Sequence, residues 1–163
     1  MFKIKVSSKL RAVLINKLQK TVDEQFVQDM QREVIDNTIK PLIAAGVSPV
    51  DSVEGSRRFV GYKDPEKYPG TQKSKRPVNL FLSGKMLQWY KAVKISGVRI
   101  SLGIPTTADN EIKVRAQANN EGTAEGIPPR RFIPLRGESF RVSVMRKIKD
   151  LYARRIKFLL SSK

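Results

Sequence analysis

The chain contains no cysteine and no histidine, and only 15 of its 163 residues are Asp or Glu. Without cysteine it has no disulfide, thiolate nucleophile or cysteine zinc site, and without histidine it has no imidazole ligand or histidine base. No GxxxxGK[ST] phosphate loop or carboxylate-rich cluster takes their place. The sequence therefore argues against an enzyme, and it predicts neither a metal site nor a cofactor.

Long apolar runs are also missing. No stretch approaches the roughly 18 residues that a membrane span requires, and the opening MFKIKVSSKL lacks the apolar core of a signal peptide. We therefore expect a protein that is made and kept in a cytoplasm and has no membrane partner. At this length a single domain over residues 1–163 is the expectation.

Positive charge dominates the composition. Lys and Arg number 32, which gives a net charge of +17 and a pI near 10.4. The excess is spread along the chain and rises only mildly after residue 138, unlike the charge of a basic disordered tail. Such a charge repels other copies of the chain and attracts polyanions, so anionic partners are expected.

Hydrophobic periodicity predicts the fold class. It indicates a long helix from about residue 8 to 39 with Pro41 as its stop, and a second long helix over 138–160. The prediction is an α+β fold in which these N-terminal and C-terminal helices pack on a small, mostly antiparallel sheet. Shorter elements complete it: a strand over 2–6, a helical turn over 85–90, and a hairpin of 91–95 and 98–102 around Ser96-Gly97.

Two further segments are defined by their glycine, proline and polar residues. Residues 109–121 fit either a helix or another strand; Asp109 as a cap favours the helix, which Gly122 would end. The following stretch up to Gly137 is rich in proline and glycine, so it is expected to be mostly extended.

The apolar stripe of the N-terminal helix is unusual because its residues recur every four positions. On an ideal α-helix each such step overshoots a full turn by about 40°, so the stripe winds around the rod. Two interpretations are open. Either the helix bends over its own core, or its second half, including Met30 and Val34, packs on a neighbouring subunit.

The C-terminal helix carries Arg141 and Arg155 within its apolar stripe. Each of these arginines either extends its charged end to solvent or meets a carboxylate supplied across an interface. We therefore regard Arg155 as a candidate interface residue.

Residues 41–79 are predicted to form a long extended loop, because glycine and proline recur there and periodic hydrophobics do not. Basic and aromatic side chains alternate in it, and four of them are candidate partner contacts: Arg57, Arg58, Tyr62 and Tyr68. Such side chains can stack on bases, although loops of this composition are also commonly solvated. We interpret the segment as an arm that contacts a partner.

Two separated motifs carry a family resemblance. Residues 127–133 read IPPRRFI and follow Asn119-Asn120-Glu121-Gly122, and residues 78–87 read VNLFLSGKML. In this order and spacing they resemble the signature of tailed-phage neck and tail-completion proteins, a group that includes the virion morphogenesis proteins of Mu-like phages. Arg131 stands where that signature has its second proline, and Pro129 where it has alanine.

The resemblance implies a structural virion subunit without cofactor. It would assemble with itself into a ring, with six-fold symmetry as the family expectation, and would contact the head connector or adaptor, the tail tube, and DNA in the lumen. It would lie in the neck or tail of the virion, after assembly in the host cytoplasm.

The proline-rich motif can also be interpreted physically. Phe132 and Ile133 would pin the stiff loop to the core and leave Arg130 or Arg131 pointing outward. Arg130 would then bind either a neighbouring subunit or groups of its own subunit. We regard Arg130, Arg131 and Phe132 as candidate contacts with a neighbouring subunit or a partner ring.

A basic nucleic-acid-binding domain that acts as a monomer or dimer is the alternative function, and the positive charge is its main support. The sequence contains no RNP aromatic motif, KH-type GXXG loop, zinc finger or clear helix-turn-helix to accompany that charge. The two motifs therefore favour the virion subunit over this alternative.

Overall fold

A computed structural model describes residues 8–51, 58–59, 85–124 and 127–161. The described residues form helices and two small antiparallel sheets, which confirms the predicted α+β class. The predicted strand over 2–6 lies outside the described residues. So do Arg57, Tyr62 and Tyr68 of the predicted arm.

The structure contains helical segments at both ends and short strands between them. In chain order the elements are α1 (Ser8–Leu18), α2 (Glu24–Asp29), a π-helix (Met30–Ile39), α3 (Lys40–Ala44), β1 (Val50–Asp51), α4 (Lys85–Gln88), β2 (Lys91–Lys94), β3 (Ile100–Gly103), α5 (Asn110–Glu121), β4 (Ser139–Phe140) and α6 (Val142–Ser161).

The predicted continuous helix over 8–39 is wrong, because the helix breaks between Leu18 and Glu24. The Asp23 side chain caps the new start by accepting a hydrogen bond from the Phe26 N–H at 2.9 Å. The tip of the β2–β3 hairpin lies in the break, where the Val22 N–H donates to the Gly97 carbonyl at 2.8 Å. The break in the helix thus coincides with a contact between residues that are far apart in sequence.

A π-helix forms the end of the segment that carries the four-residue repeat, and it includes the last two repeat positions, Met30 and Val34. Its bonds reach five residues back, as when the Lys40 N–H donates to the Ile35 carbonyl, so the winding is wider than that of an α-helix. The π-helix buries all of its apolar residues. Its four apolar residues have no exposed surface: Met30, Val34, Ile35 and Ile39. They pack in the chain's own core, which corrects the hypothesis that Met30 and Val34 contact a neighbouring subunit.

Pro41 does not stop the helix as predicted. It lies in the first turn of α3, where a missing N–H is tolerated, and the helix continues to Ala44. The chain then turns at Gly46, whose φ of 71° is in the left-handed region. The start of the predicted arm is therefore helical.

The predicted hairpin is confirmed. β2 and β3 pair antiparallel, with Ala92 opposite Leu102 and Lys94 opposite Ile100. A second small sheet joins β1 to β4, and it places Val50 opposite Phe140. Because residues 139–140 form this strand, α6 begins at Val142, later than the predicted start at 138.

The C-terminal half otherwise follows its sequence pattern. α5 is a helix that ends at Gly122, whose φ of 82° suits glycine. α6 buries Val144 and Leu151, and the Tyr152 ring packs edge-on against Phe26 at 4.8 Å between centroids. Across the described ranges, the helices are too short or too polar to cross a membrane.

Candidate interaction site

The loop over 122–137 joins α5 to β4, and Phe132 pins it to the core. The Phe132 side chain is fully buried beside Tyr90, with 6.3 Å between the ring centroids. The Tyr90 hydroxyl also donates to the Phe132 carbonyl at 3.0 Å. The predicted anchoring role of Phe132 is therefore confirmed. Its prediction as a contact with a neighbouring subunit or partner ring is wrong, because the side chain has no exposed surface.

Asn120, in the last turn of α5, holds the loop backbone. Its Oδ1 accepts hydrogen bonds from the N–H groups of Phe132 and Ile133, both at 2.9 Å. Its Nδ2 donates to the Ile133 carbonyl at 3.0 Å. One nearly fully buried amide thus satisfies three main-chain groups of a segment that belongs to neither sheet.

Arg130 turns inward, so of the two arginines predicted as alternatives for the outward position, Arg130 does not occupy it. The residue is 3% exposed, and its Nη1 donates to Asn119 Oδ1 at 3.2 Å. Its main-chain N–H donates to the Asn119 carbonyl at 2.8 Å. Of the two interpretations of Arg130, binding within its own subunit is the one the structure contains.

Arg131 is also held within the subunit. Its Nε donates to Glu138 Oε1 at 3.2 Å, and its Nη1 contacts the Asn120 carbonyl. The other carboxylate oxygen of Glu138 accepts from the Leu135 N–H at 2.9 Å. The Arg131 carbonyl accepts from the Ser48 hydroxyl at 2.5 Å, which ties the loop to the segment before β1. Arg131 therefore closes the loop on itself.

Arg155 meets a carboxylate of its own chain. Its guanidinium contacts Asp23, the N-cap of α2, and its Nε donates to the Thr21 carbonyl at 3.4 Å. The acid does not come from across an interface, so the interface role predicted for Arg155 is corrected. Among the predicted contacts of the arm, Arg58 lies in the described residues. Its side chain is exposed, and its main chain forms an isolated antiparallel β-bridge with Val47.

Two surfaces remain available for partners. The first is the loop rim, formed by the exposed residues Ile127, Pro129 and Arg136 on the fixed loop. The second is the cationic face of α6, whose exposed cations are Arg146, Lys147, Lys149, Arg154 and Lys157. Arg154 forms an ion pair there with Glu33, at 2.6 Å. Sequence reasoning missed Asn120, although two asparagines before a helix-ending glycine are a visible signal for side-chain bonds to nearby backbone.

Comparison of the chain with protein-family models, with curated proteins and with solved structures gives no match. Among the described residues there is also no group of three potential metal ligands.

Burial raises the pKa of Tyr90 far above its ordinary value of about 10. The folded state keeps the phenol neutral, while the unfolded chain ionises it above that pH. Stability is therefore full below pH 10 and is expected to fall by about 1.4 kcal/mol per pH unit above it. Tyr90→Phe should lower stability by about 1–3 kcal/mol at neutral pH, since the Phe132 carbonyl loses its donor.

Urea unfolding of wild type and Tyr90→Phe at several pH values checks this expectation. Above pH 10 the stability of the variant should fall less steeply than that of wild type, because the titrating group has been removed. Parallel pH profiles for the two proteins would contradict the role given to the Tyr90 phenol.

Proposed function

We propose that the chain is a non-enzymatic virion subunit of a tailed phage, a ring-forming neck, tail-completion or tail-terminator protein that joins the tail tube to the head connector. The meeting of the two motif segments carries this proposal. Met86 and Leu87, at the end of the first motif, are buried in the same core as Phe132 of the second. Segments about 40 residues apart that together resemble one family's signature thus form one structural unit.

The geometry of the loop suits an assembly contact. Contacts of Asn120, Arg130 and Arg131 within the chain hold the backbone of residues 130–133, which lies between Pro129 and Arg136 of the loop rim. A loop held in this way loses less conformational entropy on association than a flexible loop does, so less free energy is lost on binding. The rim would contact the neighbouring subunit or an adjacent ring, with the head connector, the tail tube and DNA in the lumen as further partners.

Net charge gives the proposal a testable salt dependence. At +17 the copies repel one another, so a ring of this chain alone requires screening or an anionic partner. We expect light scattering on nuclease-treated protein to show a ring-sized species at high salt or on purified phage tails. A protein that stays monomeric at every salt concentration and does not bind tails would refute the proposal.

The loop rim can be tested separately by Arg136→Glu. Because this residue is exposed, its charge can be reversed without disturbing the core. We expect the protein concentration needed to form the ring-sized species to rise about tenfold or more. Lys20→Glu makes the same charge change at an exposed position in the break between α1 and α2. Equal effects of both variants would show that net charge, and not the loop rim, controls assembly.

Nucleic-acid binding is the second candidate function, and the cationic face of α6 favours it. Arg146, Lys149 and Lys157 lie opposite the buried face of the helix and span about 16 Å along its axis. Asp150 is the one acid in this helix. Cations in such a row can each neutralise one phosphate of a nucleic-acid backbone.

Replacing Arg146, Lys149 and Lys157 with Gln tests this surface. If they contact phosphates, the slope of log K against log salt for duplex DNA should become shallower by about 2–3. Because all three are exposed, the fold should be unchanged. The matched control removes the same charge elsewhere, at Lys20, Lys94 and Arg99. An equal change of slope in the control would contradict a phosphate site on α6.

A further inference from the structure

The β2–β3 hairpin has two edges whose hydrogen-bonding groups can be assigned from its register. Near the turn, the Ile95 N–H donates to the Arg99 carbonyl at 3.0 Å, so these two residues form a hydrogen-bonded pair. Pairs alternate along an antiparallel ladder, so the Ala92–Leu102 and Lys94–Ile100 pairs point their N–H and C=O groups outward.

The two edges of the hairpin differ in how their outward main-chain groups are hydrogen-bonded. On the β2 edge, the outward Ala92 N–H donates to the side-chain Oε1 of Gln31, in the π-helix, at 2.9 Å. On the β3 edge, no residue of the described ranges forms a hydrogen bond with the outward N–H and C=O groups of Ile100 or Leu102. The β3 edge therefore offers a row of four main-chain groups to an added strand.

The charged side chains of the hairpin itself are all positive. Residues 91–103 contain three cations, Lys91, Lys94 and Arg99, and no acid. Lys94 and Arg99 are exposed at the end of the hairpin, and its tip also exposes Ile95 and Val98, at 61% and 49%. A strand added at β3 would thus meet open main-chain groups, positive side chains and apolar surface.

We propose that the outer edge of β3 binds an extended acidic segment of a partner protein, which adds to the hairpin as a third strand. Main-chain hydrogen bonds to Ile100 and Leu102 would hold the segment, and its carboxylates would face Arg99 and Lys94. This site is distinct from the loop rim and does not depend on the virion assignment.

Charge also argues against the other occupants. The predicted strand over residues 2–6 carries Lys3 and Lys5, and a second copy of the chain brings a further +17. Either would place like charges beside the hairpin cations. A nucleic acid has no strand edge to complement the outward N–H and C=O groups, so an acidic polypeptide fits this edge best.

Amide hydrogen exchange of the free protein tests the premise. We expect the Ile100 and Leu102 amides to exchange fast, while Val93, within the ladder, and Ala92, held by Gln31, exchange slowly. Protection of Ile100 and Leu102 in the free protein would mean that the edge is already occupied, and it would overturn the proposal.

Binding is tested with a short synthetic peptide of alternating glutamate and valine. The peptide should slow exchange at Ile100 and Leu102. A copy N-methylated at the amides that would face β3 should not bind, because it lacks the donors. Lack of saturable binding below millimolar peptide, or equal binding of the methylated copy, would overturn the proposal.

Charge variants separate this site from general attraction to a basic protein. Lys94→Glu with Arg99→Glu should weaken binding of the peptide about tenfold. Arg146→Glu with Lys149→Glu lowers the net charge equally, on the α6 face, and should leave binding nearly unchanged. An equal loss in both double variants would assign the affinity to net charge and would also overturn the proposal.

Discussion

Replacing Asn120 with Ala is expected to lower the free energy of unfolding by about 3–5 kcal/mol, because three main-chain groups lose their partner together. The N–H groups of Phe132 and Ile133 and the carbonyl of Ile133 all depend on this one amide. Each polar group left unsatisfied in the interior costs about 1–3 kcal/mol. The loss would be a large fraction of the total stability of a domain, which is typically about 5–15 kcal/mol.

Urea unfolding measures the effect, with Gln117→Ala as the matched control. Gln117 lies on the exposed side of the same helix, so its removal should change stability by less than about 0.5 kcal/mol. Asn120→Asp retains an acceptor for the two amides but loses the donor to Ile133, and an intermediate stability is expected. If Asn120→Ala and Gln117→Ala behaved alike, the loop would not be held by this amide.

The large elements of the fold were predictable because their signals are local. The alternation around Ser96-Gly97 predicts the hairpin, and Gly122 predicts the end of α5. The break in the N-terminal helix was missed because its cause is not local. Phe26, Met30 and Val34 continue the apolar repeat on its far side, and only the folded chain brings Gly97 to this place.

The candidate site was predicted in part. Phe132 was predicted as an anchor, since a large aromatic side chain in a polar, proline-rich loop is stabilised by burial in the core. The inward direction of Arg130 and Arg131 was not predicted, because arginine is ordinarily expected at exposed positions. Their partners are an asparagine side chain, a main-chain carbonyl and Glu138, and the sequence gives no pairing between them.

Arg155 shows the same limit over a longer distance. Its position in the apolar stripe of α6 correctly indicated that it needs a partner. The partner, Asp23, is 132 residues away in sequence and also caps α2. Periodicity identifies which residue departs from its helix face, but it does not identify which element packs against that face.

Gly97→Ala is expected to destabilise the protein about as strongly as loss of Asn120. A Cβ built on Gly97 would lie 1.8 Å from the Gln19 carbonyl oxygen and 3.0 Å from its carbon, and both are main-chain atoms. Either the hairpin tip or the α1–α2 break must move, at a cost of about 1–3 kcal/mol or more. Movement also breaks the bond from the buried Val22 N–H to the Gly97 carbonyl.

Gly137→Ala provides the control for Gly97→Ala, since the two substitutions separate crowding from backbone strain. Gly137 has a φ of 88° but no atom within 4 Å of an added Cβ, so only its conformational strain of about 1–2 kcal/mol applies. Unfolding midpoints should therefore fall much further for Gly97→Ala. In that variant, amide exchange at Val22 should also accelerate before the rest of the core. If both variants lost the same stability and Val22 stayed protected, the hairpin tip would not pack against the main chain of the break between α1 and α2.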